Sequence, residues 1–369
     1  MHRKILEIGP LPPPHAGWSV RIEYLMTSMR QQGIQCAALD LGDNRLARRA
    51  PESHIRGIRS NFDYALQVLL HLLRGYRIHN HLNSESWKAY CFVLYASILS
   101  VIFLRPSVLT WHGGLGGRYF PNPNSHLIDA FHWIIYRLNS QIICNDEKIK
   151  RHIVAYGISP EKVTPIPAFS EQYMEFDAVP LPAGISGFLK AHPTIIFSYV
   201  FFRPEFNLDV LLTGFAKTKK HFPDAGLCLV GCEVGSEPCT ANLEQLGLKG
   251  SVYLAGDLGR EQYLTLLTQA DLFIRTPKRD GISSSVLEAL ALGIPVVAAY
   301  NTLRPPQVKT YSADDATELA SAAISVLTAD NESRKPARPA LRDTIAEEVS
   351  LLVGTGSPTS RTEVIEHVD

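Results

Sequence analysis

The sequence predicts an α/β protein built of two Rossmann-like, doubly wound domains, and three observations predict it. The first is a βαβ unit late in the chain. It runs from the apolar strand Leu272 to Ile274 through a loop and a helix (Ser283 to Leu292) to a second buried strand, Val296 to Ala299. The second is the opening of the chain, which repeats the order: a strand at Lys4 to Ile8, a loop, a helix, and a strand at Ala37 to Leu41. The third is the run from Ser170 to His192, which carries Pro180, Pro182, Gly184 and Gly187 without a clear period and marks a hinge. A length of 369 residues suits two domains. The divisions expected are 1–169, a linker at 170–192, a second domain at 193–330, and a C-terminal helix with a polar tail at 331–369.

Composition narrows the class. Hydrophobic residues make up 46% and charged residues 20%, which is enough apolar material for two cores. Thirty-six basic residues balance 36 acidic ones, so no net field draws nucleic acid. Cysteines stand at 36, 91, 144, 228, 232 and 239, mostly in apolar or mixed runs. The last three lack a fourth Cys or His at zinc-site spacing, so no metal is expected, and a reduced, cytoplasmic chain is. Met1 to Lys4 is basic, but the apolar run behind it stops at Ile8 before a proline cluster, unlike a signal peptide. Ala89 to Leu104 is largely apolar yet falls short of the ~20 residues that span a bilayer.

Taken in order, the loop leaving the first strand holds Pro13, Pro14, His15, Ala16 and Gly17. It has no G-x-G-x-x-G, so no dinucleotide cofactor is implied. A helix with the apolar stripe Ile22, Leu25, Met26 and Met29 ends at Gly33. Asn44 to Ser60 carries Arg45, Arg48, Arg49, Arg56 and Arg59 and reads as an exposed loop or helix tip. It is either a solvated charged segment or a basic patch for peripheral contact with an anionic membrane surface or a phosphate-bearing lipid. Next come a helix at Tyr64 to Leu73, a short strand with unusual histidines at Arg77 to His81, and a buried helix at Trp87 to Leu104. The strand Ser107 to Trp111 then runs into His112 and four glycines in the five residues 113–117, which makes Gly113 to Phe120 a mobile loop. A helix at His126 to Leu138, a strand at Ser140 to Asn145 and a helix at Asp146 to Tyr156, stopped by Gly157, complete the first half.

In the second half, strands are expected at Thr194 to Tyr199, Ala225 to Val230 and Ser251 to Leu254. Helices follow the first of these, ending near Phe215, and the third, within Asp257 to Asp271. The loop of the late βαβ unit lies at the carboxyl ends of parallel strands, where open α/β sheets bind ligands. Ser283, Ser284 and Ser285 open its helix, and the unpaired N–H groups there suit phosphate. Asp280 sits in the loop, and Glu288 stands about one and a half to two turns along the helix. Helical segments at Ala313 to Thr328 and Thr344 to Leu352 come last, and only Pro339 to Val353 is placed to cross back to the first domain. Gly354 to Asp369 is small and polar, a frayed end.

The stretch from Asp280 to Glu288, two acids flanking seven residues, resembles the donor-binding motif of family-4 retaining glycosyltransferases of the GT-B fold, the glycosyl transferases of group 1. The likeness runs from about Lys4 to Leu327 and also rests on the Pro13 to Gly17 loop, His112-Gly113, the passage Ile158 to Phe169, and Arg203. It implies two domains facing a cleft, with the acceptor on the first and a nucleotide-sugar donor held mainly by the second. It also implies transfer of a hexose-type sugar to a hydroxyl of a saccharide or lipid-linked saccharide, in polysaccharide or glycoconjugate synthesis. By the same likeness Asp280 holds the sugar, and the loop amides of Gly281, Ile282 and Ser283 hold sugar and diphosphate. Glu288 holds the ribose, and Gly17 lies near the diphosphate. His112 and Asp280 are the catalytic candidates, while His15 and Gly113 fall on the acceptor side.

The chain departs from the pattern at three places. Asp280 stands where Glu is commoner, Ala16 where a glycine often stands, and Phe206 where the family's diphosphate-binding Lys falls. Arg203, with Arg275 or Lys278, is therefore expected to grip the diphosphate, since a guanidinium does so bidentately. The resemblance implies no bound metal or cofactor, the donor being a substrate, and the chain has no Asp-x-Asp pair. The missing Lys and the lone Gly17 also admit a non-catalytic nucleotide-sugar or glycan-binding protein. The expected location is the cytoplasm, with the inner face of the membrane as the site of any peripheral contact.

Overall fold

In the computed structural model the described residues are 4–13, 17–42, 54–115, 117–121, 124–231, 242–277 and 283–354. Strands such as Val108–Trp111 and Leu272–Arg275 are buried at every position, the mark of parallel sheets covered on both faces. The first domain contains β1 (Lys4–Gly9), β2 (Gln35–Asp40), β3 (Ile55–Gly57), β4 (Arg77–Leu82), β5 (Val108–Trp111), β6 (Gln141–Cys144) and β7 (Val163–Pro165). They form one sheet in the order β3-β2-β1-β4-β5-β6-β7. The second domain contains β8 (Thr194–Tyr199), β9 (Ala225–Val230), β10 (Val252–Gly256), β11 (Leu272–Arg275), β12 (Val296–Ala299) and β13 (Lys309–Tyr311), in the order β10-β9-β8-β11-β12-β13. In each sheet the order reverses beside the first strand, at β1/β4 and at β8/β11. Open parallel sheets bind ligands at such switch points.

Helices cover both faces of the first sheet because side chains alternate across each strand. Ile5 and Val108 face α1 (Gly17–Gln31), where Ile22, Leu25 and Met26 form the apolar stripe. Leu6 and Ile8 face the other way, onto α2 (Asn61–Leu73) and α3 (Trp87–Ile102). Further along come α4 (His126–Leu138) and α5 (Glu147–Val154), the latter capped by Asp146, whose carboxylate accepts from the Ile149 amide at 2.8 Å. Among the described residues, no helix is long and apolar enough to cross a membrane. The apolar run of α3 instead packs Tyr90, Val93 and Ala96 into the domain.

The stretch expected to be an irregular hinge contains a helix, α6 (Ala183–Ala191). Its Ile185 is buried in the second-domain core, and Phe188 and Leu189 pack against that core at helical spacing, so the linker's second half belongs to the second domain. That domain continues with α7 (Leu208–Thr218), α8 (Arg260–Leu267), α9 (Ser284–Ala291), α10 (Ala316–Thr328) and α11 (Asn331–Arg334). The short edge strands β3, β7 and β13 also lay outside the expectation, because three residues carry too little periodicity to announce a strand.

The crossing helix is present as α12 (Thr344–Val353), packed on α1 with Ile345, Val349 and Leu352 in the first-domain core. Arg77 caps its far end, donating to the Leu352 carbonyl at 2.6 Å. The far end of the glycine loop after β5 makes contacts with the domain. The Tyr119 amide donates to the Ser84 carbonyl at 3.1 Å, Gly117 bridges to Phe120, and Phe120 is buried.

Candidate active site

A cavity of about 310 Å³ opens between the two switch points, lined by both domains. The first domain contributes Gly17, Trp18 and His112; the second contributes Arg275, Glu288 and the serines that begin α9. Gly17 starts α1 and faces α9 across the cleft. A Cβ at Gly17 would lie 3.3 Å from the Ser284 hydroxyl, so a residue without a side chain lets the two helix N-termini approach each other.

The second-domain wall is built to meet negative charge. Ser283 precedes α9 in extended conformation, but its hydroxyl makes no capping bond and instead lies 3.0 Å from that of Ser285. The helix therefore presents its first N–H groups, and the positive end of its dipole, to the cavity. Beside it Arg275, at the end of β11, donates to the Tyr199 carbonyl at 3.0 Å and lies 5.3 Å from the centre of the Phe206 ring. Phe206, the residue in place of the expected Lys, thus packs under a guanidinium that reaches the cavity from the end of β11. Arg203 is exposed and does not line the cavity.

Glu288 is 4% exposed, and its Oε1 accepts from an Arg260 guanidinium nitrogen at 2.6 Å. Arg260 also donates to the Tyr173 carbonyl at 2.8 Å. Burial alone would lower the Arg260 pKa, but the Glu288 charge and hydrogen bond outweigh it and raise the value. Sequence reading missed Arg260. The available signal was an arginine heading the helix that follows the β10 loop, close to the donor-side strand ends.

On the first-domain wall, His112 is half-buried at the end of β5. Its Nε2 lies 2.9 Å from His81 Nδ1, and His81 Nε2 lies 2.7 Å from Glu7 Oε2. Trp18 packs edge-on against the His112 ring at 5.3 Å. Burial first, then the charges of His81, Arg21 and His79, hold the His112 pKa well below the ordinary imidazole range. At Glu7 burial pushes upward, but the charge of His79 and hydrogen bonds from His79 and His81 prevail and set its pKa at about 2. The cluster continues inward. His79 Nε2 lies 2.8 Å from the Thr110 hydroxyl, which donates to Glu348 of α12 at 2.6 Å, and Arg21 Nε donates to the same carboxylate at 2.5 Å. Sequence reading noted the histidines but not Glu7. Glu7 and His79 are register partners on adjacent strands, and Arg77, His79 and His81 share one face of β4 by alternation.

Among the described residues, Glu7, His79 and His81 are the one group whose ligand atoms lie close enough together to hold a metal ion, within 4.8 Å. The fit is poor. The two histidine nitrogens stand 2.8 and 2.7 Å from Glu7 Oε2, hydrogen-bond distances, whereas two ligands of one tetrahedral zinc keep about 3.3 Å apart. Gly113 is buried behind the wall, where a Cβ would come within 2.9 Å of the Trp111 indole nitrogen.

The structure therefore gathers Gly17, His112, Ser283 and Glu288 in one cavity, sets Gly113 behind it and leaves Arg203 outside. His15, Lys278, Asp280, Gly281 and Ile282 lie outside the described residues, as do Arg45, Arg48 and Arg49. Arg56 and Arg59 are exposed, and Arg56 is bonded to Asp63 at 2.8 Å.

Two parallel-sheet Rossmann-like domains that meet at a cleft are the architecture of the GT-B fold. Residues 186–340 match the family model described as Glycosyl transferases group 1, and residues 16–169 match Glycosyltransferase Family 4. The chain belongs to the group 1 glycosyltransferases of the GT-B fold. No curated protein sequence matches it. Three solved structures show the fold at low identity. Anabaena HepE in complex with UDP and glucose has a TM-score of 0.65 at 16% identity, covering 97% of this chain and 96% of that one. Sucrose-phosphate synthase of Thermosynechococcus elongatus has 0.67 at 16%, covering 95% and 94%. UDP-GlcNAc 2-epimerase of Methanocaldococcus jannaschii has 0.61 at 12%, covering 96% and 100%.

Proposed function

We propose that this glycosyltransferase moves a hexose from a nucleoside-diphosphate sugar to a hydroxyl of a saccharide or lipid-linked saccharide, with retention at the anomeric carbon, in polysaccharide or glycoconjugate synthesis. The observation that carries the reading is the shared cavity, with His112 and Gly17 on one wall and the α9 N-terminus, Arg275 and Glu288 on the other. Transfer requires charge to be stabilised on the leaving diphosphate and on an oxocarbenium-like sugar. The N–H groups at Ser283 to Ser285 and the Arg275 guanidinium meet the first demand without a metal. Glu288, prepositioned by Arg260, takes the ribose, and His112 takes the sugar side. Asp280 takes the sugar hydroxyls and the anomeric configuration is kept, a reading that the family likeness supports. Closure of the domains over the donor excludes water. The work is done in the cytoplasm, at the inner face of the membrane when the acceptor is lipid-linked.

The test is thermal unfolding of the full chain against UDP, GDP and ADP. A ligand at 100 times its Kd stabilises by about 2.7 kcal/mol, which at about 2–4 °C per kcal/mol for a domain of about 150–250 residues moves the midpoint by about 5–11 °C. One base should shift the midpoint, and Glu288→Ala should abolish the shift. A flat response to all three would sink the reading.

A further inference from the structure

Glu7 and His81 stand behind His112 in a line that ends in the cleft. With His81 neutral, as its burial and the neighbouring His79 charge favour, the donors and acceptors along it have one consistent assignment. An ionised carboxylate can only accept. The proton between Glu7 Oε2 and His81 Nε2, 2.7 Å apart, therefore belongs to the histidine. A neutral His81 protonated at Nε2 has a lone pair at Nδ1. The 2.9 Å contact from that atom to His112 Nε2 is then filled by a proton from His112. His112 is left with hydrogen on Nε2 and a lone pair on Nδ1. The planes of the two rings lie within 20° of each other, which fixes orientation as well as tautomer.

The arrangement is costly unless it serves something. Glu7 is fully buried and, among the described residues, its Oε1 has no hydrogen-bond partner, so part of the carboxylate's desolvation goes uncompensated. An apolar residue would suit a central β-strand better. The inner end of the cluster is anchored too. His79 lies 2.8 Å from Glu7 Oε2 and 3.4 Å from Glu348 Oε1, and Glu348 is held by Arg21. The carboxylate that sets the proton order is thus fixed by a helix that arrives from the far end of the chain.

We infer that Glu7 and His81 are positioning residues that lock His112 as the Nε2-protonated tautomer, so that its Nδ1 accepts a hydrogen bond from a hydroxyl of the bound sugar or acceptor. This rests on the transfer reading for the identity of the ligand, but the lock itself is a property of the protein alone. The role differs from packing. A purely structural cluster would hold the ring in place without regard to which nitrogen bears the proton.

The experiment is nitrogen NMR of the full chain labelled at histidine, with His112→Asn used to assign the His112 signals, followed by kinetics of the same proteins. In the wild type the two His112 nitrogens should resonate as one protonated (Nε2) and one unprotonated (Nδ1). In Glu7→Gln, whose amide can either donate to or accept from His81, the two shifts should move toward each other, and kcat should fall by at least about tenfold with KM within about twofold. His81→Phe keeps a ring of similar shape and should do the same, which guards against misfolding of the first variant. A wild-type His112 protonated at Nδ1, or unchanged shifts in both folded variants, would overturn the inference. If the wild type turns over no donor at all, the transfer reading fails while the nitrogen shifts still decide the lock.

Discussion

Arg260 holds the carboxylate of Glu288 at 2.6 Å, with both side chains largely removed from solvent. The acid that the family motif places on the nucleotide is thus part of a buried ion pair before any ligand arrives. Removing one partner of such a pair strands the other charge, at a cost of about 3–5 kcal/mol, whereas replacing both with apolar residues costs far less. Glu288→Ala should therefore lower stability by that amount in urea titration, and Glu288→Leu with Arg260→Met should recover most of it. Equal losses in the single and double variants would mean that the pair does not set the local energetics.

Arg275 and Arg203 divide on position. Arg275 lines the cavity over the Phe206 ring, while Arg203 is exposed outside it. A hydrogen bond to a charged group contributes about 1.5–3 kcal/mol, so Arg275→Ala should weaken nucleoside-diphosphate binding by about tenfold or more. Arg203→Ala should leave the constant within about twofold. Calorimetric titration of both variants decides between them, and the reverse order would return the diphosphate to Arg203.

Gly113 has no room for a side chain, since a Cβ would meet the Trp111 indole at 2.9 Å. Trp111 is fully buried, so Gly113→Ala should cost about 1–3 kcal/mol as the ring or the loop gives way. Tryptophan fluorescence and chemical unfolding would register it, and a variant indistinguishable from wild type would show that the loop yields freely.

The fold was legible because parallel strands buried on both faces form apolar runs, and because Gly33, Gly157 and the prolines punctuate them. Helix α6 was hidden by Pro180, Pro182, Gly184 and Gly187, which look like a linker until Ile185 is seen packing into the second domain. The cavity lining could be anticipated where it is local in sequence, as at His112 and at Ser283 and Glu288 of one helix. The site was illegible where partners are distant. Glu7, His81 and Glu348 meet only because β1 and β4 are neighbours in the sheet and α12 returns across it. Arg275 was a named candidate, but its packing over Phe206, from a strand about seventy residues away, is a contact that no spacing rule reaches.

Acid should loosen the first domain through His132. Its two nitrogens lie 2.8 Å from the Tyr90 hydroxyl and 3.0 Å from the Tyr156 hydroxyl, and burial lowers its pKa to about 4. An unfolded histidine takes up its proton near pH 6.5, so between about pH 6.5 and 4 the unfolded chain binds more protons and stability falls as pH falls, by about 3 kcal/mol. His132→Gln should make that part of the profile shallower, the slope that remains coming from His71, His81 and His112, whose values are also lowered. The further decline at lower pH comes from Glu7 and Glu348, whose values are depressed. Chemical unfolding across the range gives the slope, and an unchanged slope in the variant would contradict the assignment.

The most direct test of the central claim follows labelled UDP-, GDP- and ADP-sugars by NMR, with the full chain alone and then with saccharide acceptors. Transfer predicts that one base's sugars release nucleoside diphosphate, slowly to water and faster with an acceptor, that the product keeps the donor's anomeric configuration, and that His112→Asn loses the turnover. A sugar nucleotide isomerised without release, or no release from any donor, would contradict it.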